Sequence, residues 1–247
     1  MIVHDAPTPL SAQSGRLKAV IFDVDGVLLA SPHEQAWRDA LTGFADPGLF
    51  TTALYQRVVA GKPRLSGARA ALEALGVPDA ERQAICYSER KQKRLEELIA
   101  AGSVAAFPDA LRFVQALATL GWPMAVASSS KNANDMMRLI PMGSGRSLLD
   151  VFGANVCGRD LPRGKPDPAI FLLAAAELQV EAVSCFVAED APAGIEAARA
   201  GKMAGLGVAR HNDTALLRMA GADLIVTSLD EVAVDKLADG QLCRRPA

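Results

Sequence analysis

Four short apolar runs, at 17–22, 124–127, 185–188 and 224–226, constrain this chain more than any other feature. Runs this brief, without polar alternation, suit strands buried on both faces of a parallel sheet. Between them the period becomes helical. Leu111, Val114, Leu117 and Leu120 share one face of a helix that follows Pro108 and stops at Gly121. Further helices are predicted over 168–178 and 193–200, the latter ended by Gly201. Strands alternating with helices predict an α/β fold built on a doubly wound parallel sheet.

One stretch breaks the alternation. From 32 to 105 Ala, Leu, Arg, Glu and Gln dominate, and no run reads as a strand. Helices are predicted over 34–41, 49–59, 65–75 and 79–99, punctuated by Asp46-Pro47-Gly48, Gly61-Lys62-Pro63 and Gly76-Val77-Pro78. The expected organisation is a loose N-terminal leader over 1–16, an α/β core made of 17–31 and 106–247, and a helical cap inserted at 32–105. A length of 247 residues leaves room for such a core and insert.

Charge and cysteine usage exclude several functions. A formal net charge of −2 provides no broad positive surface, so neither nucleic acid nor an anionic membrane is an expected partner. The four cysteines, Cys86, Cys157, Cys185 and Cys243, form no C-x-x-C pair and are expected as reduced thiols, not zinc ligands. No apolar run approaches the ~20 residues of a membrane span, and the first sixteen residues do not read as a secretory signal. A cytoplasmic monomer is expected.

Three of the apolar runs end in polar clusters: Asp23 and Asp25, then Ser128-Ser129-Ser130, then Glu189 and Asp190. Ligands of open parallel sheets bind beyond the carboxyl ends of the strands, so these clusters should meet in one crevice. Lys165, in Gly164-Lys165-Pro166-Asp167-Pro168 before a helix, can bring an ammonium there. Asp23, Asp25, Glu189 and Asp190 would repel one another unless a divalent cation gathered them, and hard oxygen ligands suit Mg2+. A phosphate joining that cation finds Lys165 and the Ser128 hydroxyl as partners. One carboxylate can then act as nucleophile while another, two residues away, exchanges a proton with the departing or arriving oxygen.

Asp23-Val24-Asp25-Gly26-Val27-Leu28, Ser128, Lys165 and Glu189-Asp190 together resemble the four ordered motifs of the haloacid dehalogenase superfamily. The resemblance spans 17 to about 208 and implies that Asp23 is the nucleophile, Asp25 the general acid/base, Ser128 and Lys165 phosphate ligands, and Asp190 a magnesium ligand assisted by Glu189. By the same resemblance, the carboxylate at Asp25 implies a phosphatase or phosphomutase and not a dehalogenase of that superfamily. Within it, finer details resemble the β-phosphoglucomutase group, whose helical cap is likewise inserted between the first and second motifs. Ser128-Ser129-Ser130-Lys131-Asn132 resembles its S-x-S-K-N, His33 with Trp37 its H-x-x-x-W, and Gly61 with Arg64 its G-x-x-R loop; Lys91 matches a cap lysine. The resemblance thus implies substrate binding by Ser129, Lys131, Asn132, His33, Arg64 and Lys91, and a phosphorylated sugar as substrate. Ala191 and the 141–147 loop depart from the group's pattern.

Each residue also has a plainer reading. Asp25-Gly26 alone would be a turn, Ser128 to Ser130 a helix cap, Lys165 a solvated loop residue, and His33 a packing partner of Trp37. Arg64 and Lys91 would be ordinary basic residues on a charged helical surface. The order of all four motifs favours an enzyme, with a catalytically silent phosphate-binding regulator as the alternative.

Overall fold

The computed structural model describes residues 16–246; of the expected leader only Arg16 is among them, and His4 lies outside. The elements alternate as the apolar runs predict. β1 (Ala19–Phe22) and the short β2 (Leu29–Ala30) are followed by helices α1 (His33–Ala40), α2 (Thr52–Val58), α3 (Arg64–Ala74) and α4 (Ala80–Ala100). β3 (Ala105–Ala106), α5 (Pro108–Thr119), β4 (Met124–Val126) and α6 (Ala133–Arg138) come next. A hairpin of β5 (Pro141–Gly143) and β6 (Arg146–Ser147) precedes β7 (Ala154–Asn155) and α7 (Ala169–Glu177). The chain ends with β8 (Cys185–Glu189), α8 (Pro192–Ala200), β9 (Ala204–Val208), α9 (Thr214–Ala220), β10 (Leu224–Val226) and α10 (Val234–Ala238).

Six strands form one sheet in the order β10-β9-β8-β1-β4-β7, with every neighbouring pair parallel. β1 lies between β8 and β4, and its four residues are fully buried. Its side chains alternate between two cores, as the pleat requires. Val20 and Phe22 face α5 through Phe113, Val114 and Leu117, whereas Ala19 and Ile21 face α7 and α8 through Phe171, Ala174 and Ala198. The carboxyl ends of β1, β4 and β8 therefore open side by side.

α1 to α4 lie between β2 and β3, which pair antiparallel with Leu29 opposite Ala106 and Ala30 opposite Ala105. Their own apolar core contains Trp37, Leu41, Phe50, Leu72 and Tyr87. The Tyr87 hydroxyl donates to the Trp37 carbonyl at 2.9 Å, giving the buried phenol its partner.

Several details differ from the sequence reading. The helix predicted over 49–59 is shorter because Thr51 caps a new start, its hydroxyl accepting from the Leu54 N–H at 3.2 Å, while Pro47–Leu49 makes a separate 3-10 turn. β9 escaped the apolar pattern because Gly205 and Gly207 interrupt it. The 141–147 loop is the β5–β6 hairpin. All four cysteines are free thiols. Among the described residues no helix is long and apolar enough to cross a membrane.

Candidate active site

Asp23 is the first residue beyond β1, anchored by its N–H donating to the Ala188 carbonyl of β8 at 3.0 Å. The chain then doubles back. The N–H groups of Leu28 and Leu29 both donate to Val24 O at 2.9 Å, and Gly26 N donates to Leu29 O at 2.9 Å. Gly26 sits at φ +82°, and a Cβ there would lie 2.0 Å from Asp190 Oδ2. Only glycine lets the loop after β1 and the Asp190 carboxylate after β8 approach so closely.

Lys165 reaches this place from the loop before α7. Its buried ammonium donates to Asp23 and, at 2.7 Å, to Glu189 Oε1, and it lies 4.8 Å from the Phe171 ring centroid. Burial alone would depress its pKa, but Asp23 and Glu189 outweigh that and hold the ammonium above its ordinary value. Asp23 is pushed up to about 7 by burial, against the pull of Lys165 and with the push of Glu189 and Asp25. Asp190 is raised well above the usual carboxylate range by burial, then by Glu189 and Asp23. Burial and the neighbouring carboxylates thus disfavour the charged forms of Asp23 and Asp190.

Ser128 follows β4, accepting from Ser130 N at 3.0 Å and donating to Asp25 Oδ2 at 3.4 Å. Ser130 Oγ accepts from Asn132 N at 3.2 Å, so the serines brace the turn leading to α6. His33, at the start of α1, links this turn to the cap. Its Nδ1 is 2.9 Å from Lys91 Nζ, and its Nε2 is 3.3 Å from Ser130 Oγ and 3.6 Å from Asp25 Oδ1. Burial lowers the imidazole to about 4, Asp25 opposing and Lys91 assisting, so it is neutral at pH 7.

A cavity of about 420 Å³ lies between cap and core. Of the twelve residues singled out from sequence, all but Glu189 line it: Asp23, Asp25, Ser128, Ser129, Lys131, Asn132, Lys165 and Asp190 from the core side, His33, Arg64 and Lys91 from the cap. Their partners differ in kind. Ser129 Oγ donates across to Gly61 O at 3.3 Å, and the Asn132 carboxamide exchanges hydrogen bonds with Gln92 of α4 at 3.1 and 3.3 Å. Lys131 is at the exposed rim, paired with Asp160 at 2.9 Å. Arg64 is the exposed first residue of α3, whereas Lys91 is only 2% exposed.

Glu189 departs from the expected metal role. It is fully buried behind Lys165, with Oε1 on that ammonium and Oε2 accepting from Ala191 N at 2.8 Å. Both oxygens are engaged, so its place is to hold Lys165. Among the described residues no three His, Cys, Asp or Glu side chains stand as a metal cluster, so the four carboxylates do not by themselves form the cage that charge suggested. The donor set still fits magnesium, which takes one or two carboxylates and completes its shell with water and substrate oxygens. Among the described residues Asp25 Oδ1 is buried without a hydrogen-bond partner, and Asp23 and Asp190 are carboxylates whose crowding a dication would relieve.

Sequence reasoning missed Tyr55, Gln56 and His211, which also line the cavity. Burial and then the Asp190, Asp25, Glu34 and Asp23 carboxylates raise the Tyr55 phenol well above its ordinary value, keeping it a neutral donor. Gln56 is 4% exposed, and its side-chain oxygen has no hydrogen-bond partner among the described residues. Neither belongs to a motif; only the face each presents on α2 would have found them.

Known proteins resemble this chain in sequence and fold. A family model described as haloacid dehalogenase-like hydrolase matches residues 17–202. The β-phosphoglucomutase of Mycobacterium bovis is 33% identical over 242 residues, covering 88% of this chain and 92% of that protein. The phosphorylated carbohydrates phosphatase of Thermotoga maritima is 30% identical over 215 residues, covering 85% and 94%. The crystal structure of the archaeal β-phosphoglucomutase from Pyrococcus sp. strain ST 04 superposes with a TM-score of 0.70 at 30% identity, covering 90% of this chain and 99% of that one. The chain therefore belongs to the haloacid dehalogenase-like hydrolases, in their β-phosphoglucomutase-like subgroup, and is an enzyme of the phosphatase or phosphomutase type.

Proposed function

We propose that the chain transfers the phosphoryl group of a sugar phosphate through an aspartyl-phosphate on Asp23. One observation carries this reading: Asp23 faces the cavity with Lys165 on one oxygen and Asp25 two residues on, beneath a cap whose Arg64 and Lys91 face the same space. The Asp23 carboxylate attacks phosphorus, and the bond to the leaving alkoxide breaks as Asp25 gives that oxygen a proton. Asp25 then takes a proton from the incoming hydroxyl, whose oxygen displaces Asp23 from phosphorus. Lys165 and Ser128 steady the phosphoryl oxygens, and Glu189 steadies Lys165. Asp23 and Asp190, with Asp25 beside them, would hold Mg2+, which when bound neutralises charge on the phosphoryl oxygens. A sugar phosphate is favoured because the relatives at 30% identity or more include a β-phosphoglucomutase and a phosphorylated carbohydrates phosphatase.

The acceptor is either a second sugar hydroxyl or water. The closeness of cap and core favours the hydroxyl: a Cβ on Gly164 would meet Pro63 Cγ at 2.0 Å, and Ser129 is bonded to Gly61 across the gap. A regulator would need phosphate binding only, whereas the acidic pair Asp23 and Asp25 supplies nucleophile and proton carrier besides.

The test is a screen with magnesium against β-glucose 1-phosphate and a panel of hexose and pentose phosphates, scoring isomerised product and free phosphate. Asp23→Asn should abolish both with its circular dichroism unchanged, because it removes the nucleophile at little change in volume. Turnover near wild type in that variant would end the proposal.

A further inference from the structure

The steps above leave one nearly buried guanidinium unused. Arg210 lies just beyond β9, its side chain 9% exposed. Its Nε donates to Gly26 O at 3.1 Å, its Nη2 to Val27 O at 3.0 Å and its Nη1 to Asp109 Oδ2 at 3.0 Å. The guanidinium carbon lies 3.8 Å from the Phe107 ring centroid. Asp109, in the first turn of α5, is braced in turn: its Oδ2 also accepts from Ser228 Oγ at 3.0 Å and Leu229 N at 2.8 Å.

Gly26 and Val27 are the two residues after Asp25, and Gly26 is where the Asp190 carboxylate packs. A glycine at positive φ has little intrinsic preference for staying there. The planar fork of an arginine fixes two carbonyl directions at once, which a lysine's single ammonium cannot reproduce. The Phe107 N–H donates to Leu28 O at 3.0 Å, so the residue on which Arg210 stacks also grips this loop, immediately after β3 returns the chain from the cap.

We propose that Arg210, braced by Asp109, is a positioning residue that fixes the Gly26 and Val27 carbonyls and so sets Asp25 and Asp190 in register with the reacting phosphate. The inference rests on the proposed roles of Asp23 and Asp25. A guanidinium that only tied the C-terminal part of the chain to the core would affect melting but not turnover in the folded enzyme.

Arg210→Lys and Arg210→Ala are compared with wild type and Asp23→Asn, at a temperature where circular dichroism shows each folded. Both Arg210 variants should keep KM within about twofold and lose kcat, Arg210→Ala by ~100-fold, the scale of a ~1 Å misplacement at a reacting centre. Methylguanidinium in the assay should restore part of the turnover of Arg210→Ala and none of that of Asp23→Asn. Should Arg210→Ala not fold, Arg210→Lys decides, with a loss of roughly tenfold expected from a fork reduced to a single donor group. Wild-type kcat in Arg210→Lys, with Asp23→Asn inactive, overturns the positioning role alone; turnover in Asp23→Asn overturns the reading beneath it.

Discussion

Lys165 in the core and Lys91 in the cap are both buried lysines facing one cavity, yet their surroundings are opposite. Lys165 touches two carboxylates, whose attraction outweighs the cost of burial and keeps it charged. Lys91 has the neutral His33 ring at 2.9 Å and the Trp37 ring at 5.0 Å, and burial pushes it down to about 7, with Asp25 opposing and Arg64 adding to the fall. The core ammonium therefore has its counter-charges within the protein. The cap holds cationic groups whose best partner is an anion on the substrate. On the proposed function, chemistry falls to the core and selection to the cap.

The largest expected effect breaks the core side of that comparison. Chelation should silence the enzyme and added magnesium restore it, while Asp190→Ala should weaken magnesium binding by ~10–100-fold or more, measured by titration calorimetry. Full turnover in excess chelator, or unaltered affinity in Asp190→Ala, would show that crowded carboxylates do not serve a metal here.

A middle-sized effect belongs to the cap. Arg64→Ala should lower kcat/KM for a sugar phosphate by roughly tenfold or more, the scale of one lost charged contact at ~1.5–3 kcal/mol, and spare p-nitrophenyl phosphate. Equal losses on both substrates would move Arg64 from selection to cap closure or folding.

The smallest concerns Lys91 itself. The unfolded chain keeps this proton to its ordinary value of 10.5, whereas the folded chain releases it near 7. Between those values the unfolded state binds more protons, so folding stability gains as pH rises. Compared with Lys91→Met, wild type should gain stability from pH 7 to pH 9, by ~1.4 kcal/mol per pH unit at most, measured by urea unfolding. A difference that stays flat with pH would reveal a counter-charge at Lys91 and erase the contrast with Lys165.

How far sequence alone could reach follows from the same residues. The four recognised strands were legible because buried parallel strands have no alternation to blur them, and the rule that polar residues end such strands located Asp23, Ser128 and Asp190. Glu189 shared that signal, but a sequence does not say whether a carboxylate faces a ligand or the lysine in front of it. Arg210-His211-Asn212-Asp213 ends β9 as Asp23-Val24-Asp25 ends β1. The rule would have found that cluster too, had Gly205 and Gly207 not hidden the strand. Tyr55 and Gln56 needed the fold, since which face of a short cap helix turns inward depends on docking against the core.

The β2–β3 pair has a consequence for chain entropy. Residues 31–104, 74 in all, leave and rejoin the core at directly opposed positions. To the sheet they are equivalent to a hairpin turn. Closing so long a loop instead of a four-residue one costs only about 2–3 kcal/mol, since the penalty grows with the logarithm of length. An insert that folds with its ends together therefore adds little closure cost to the core, whatever its length.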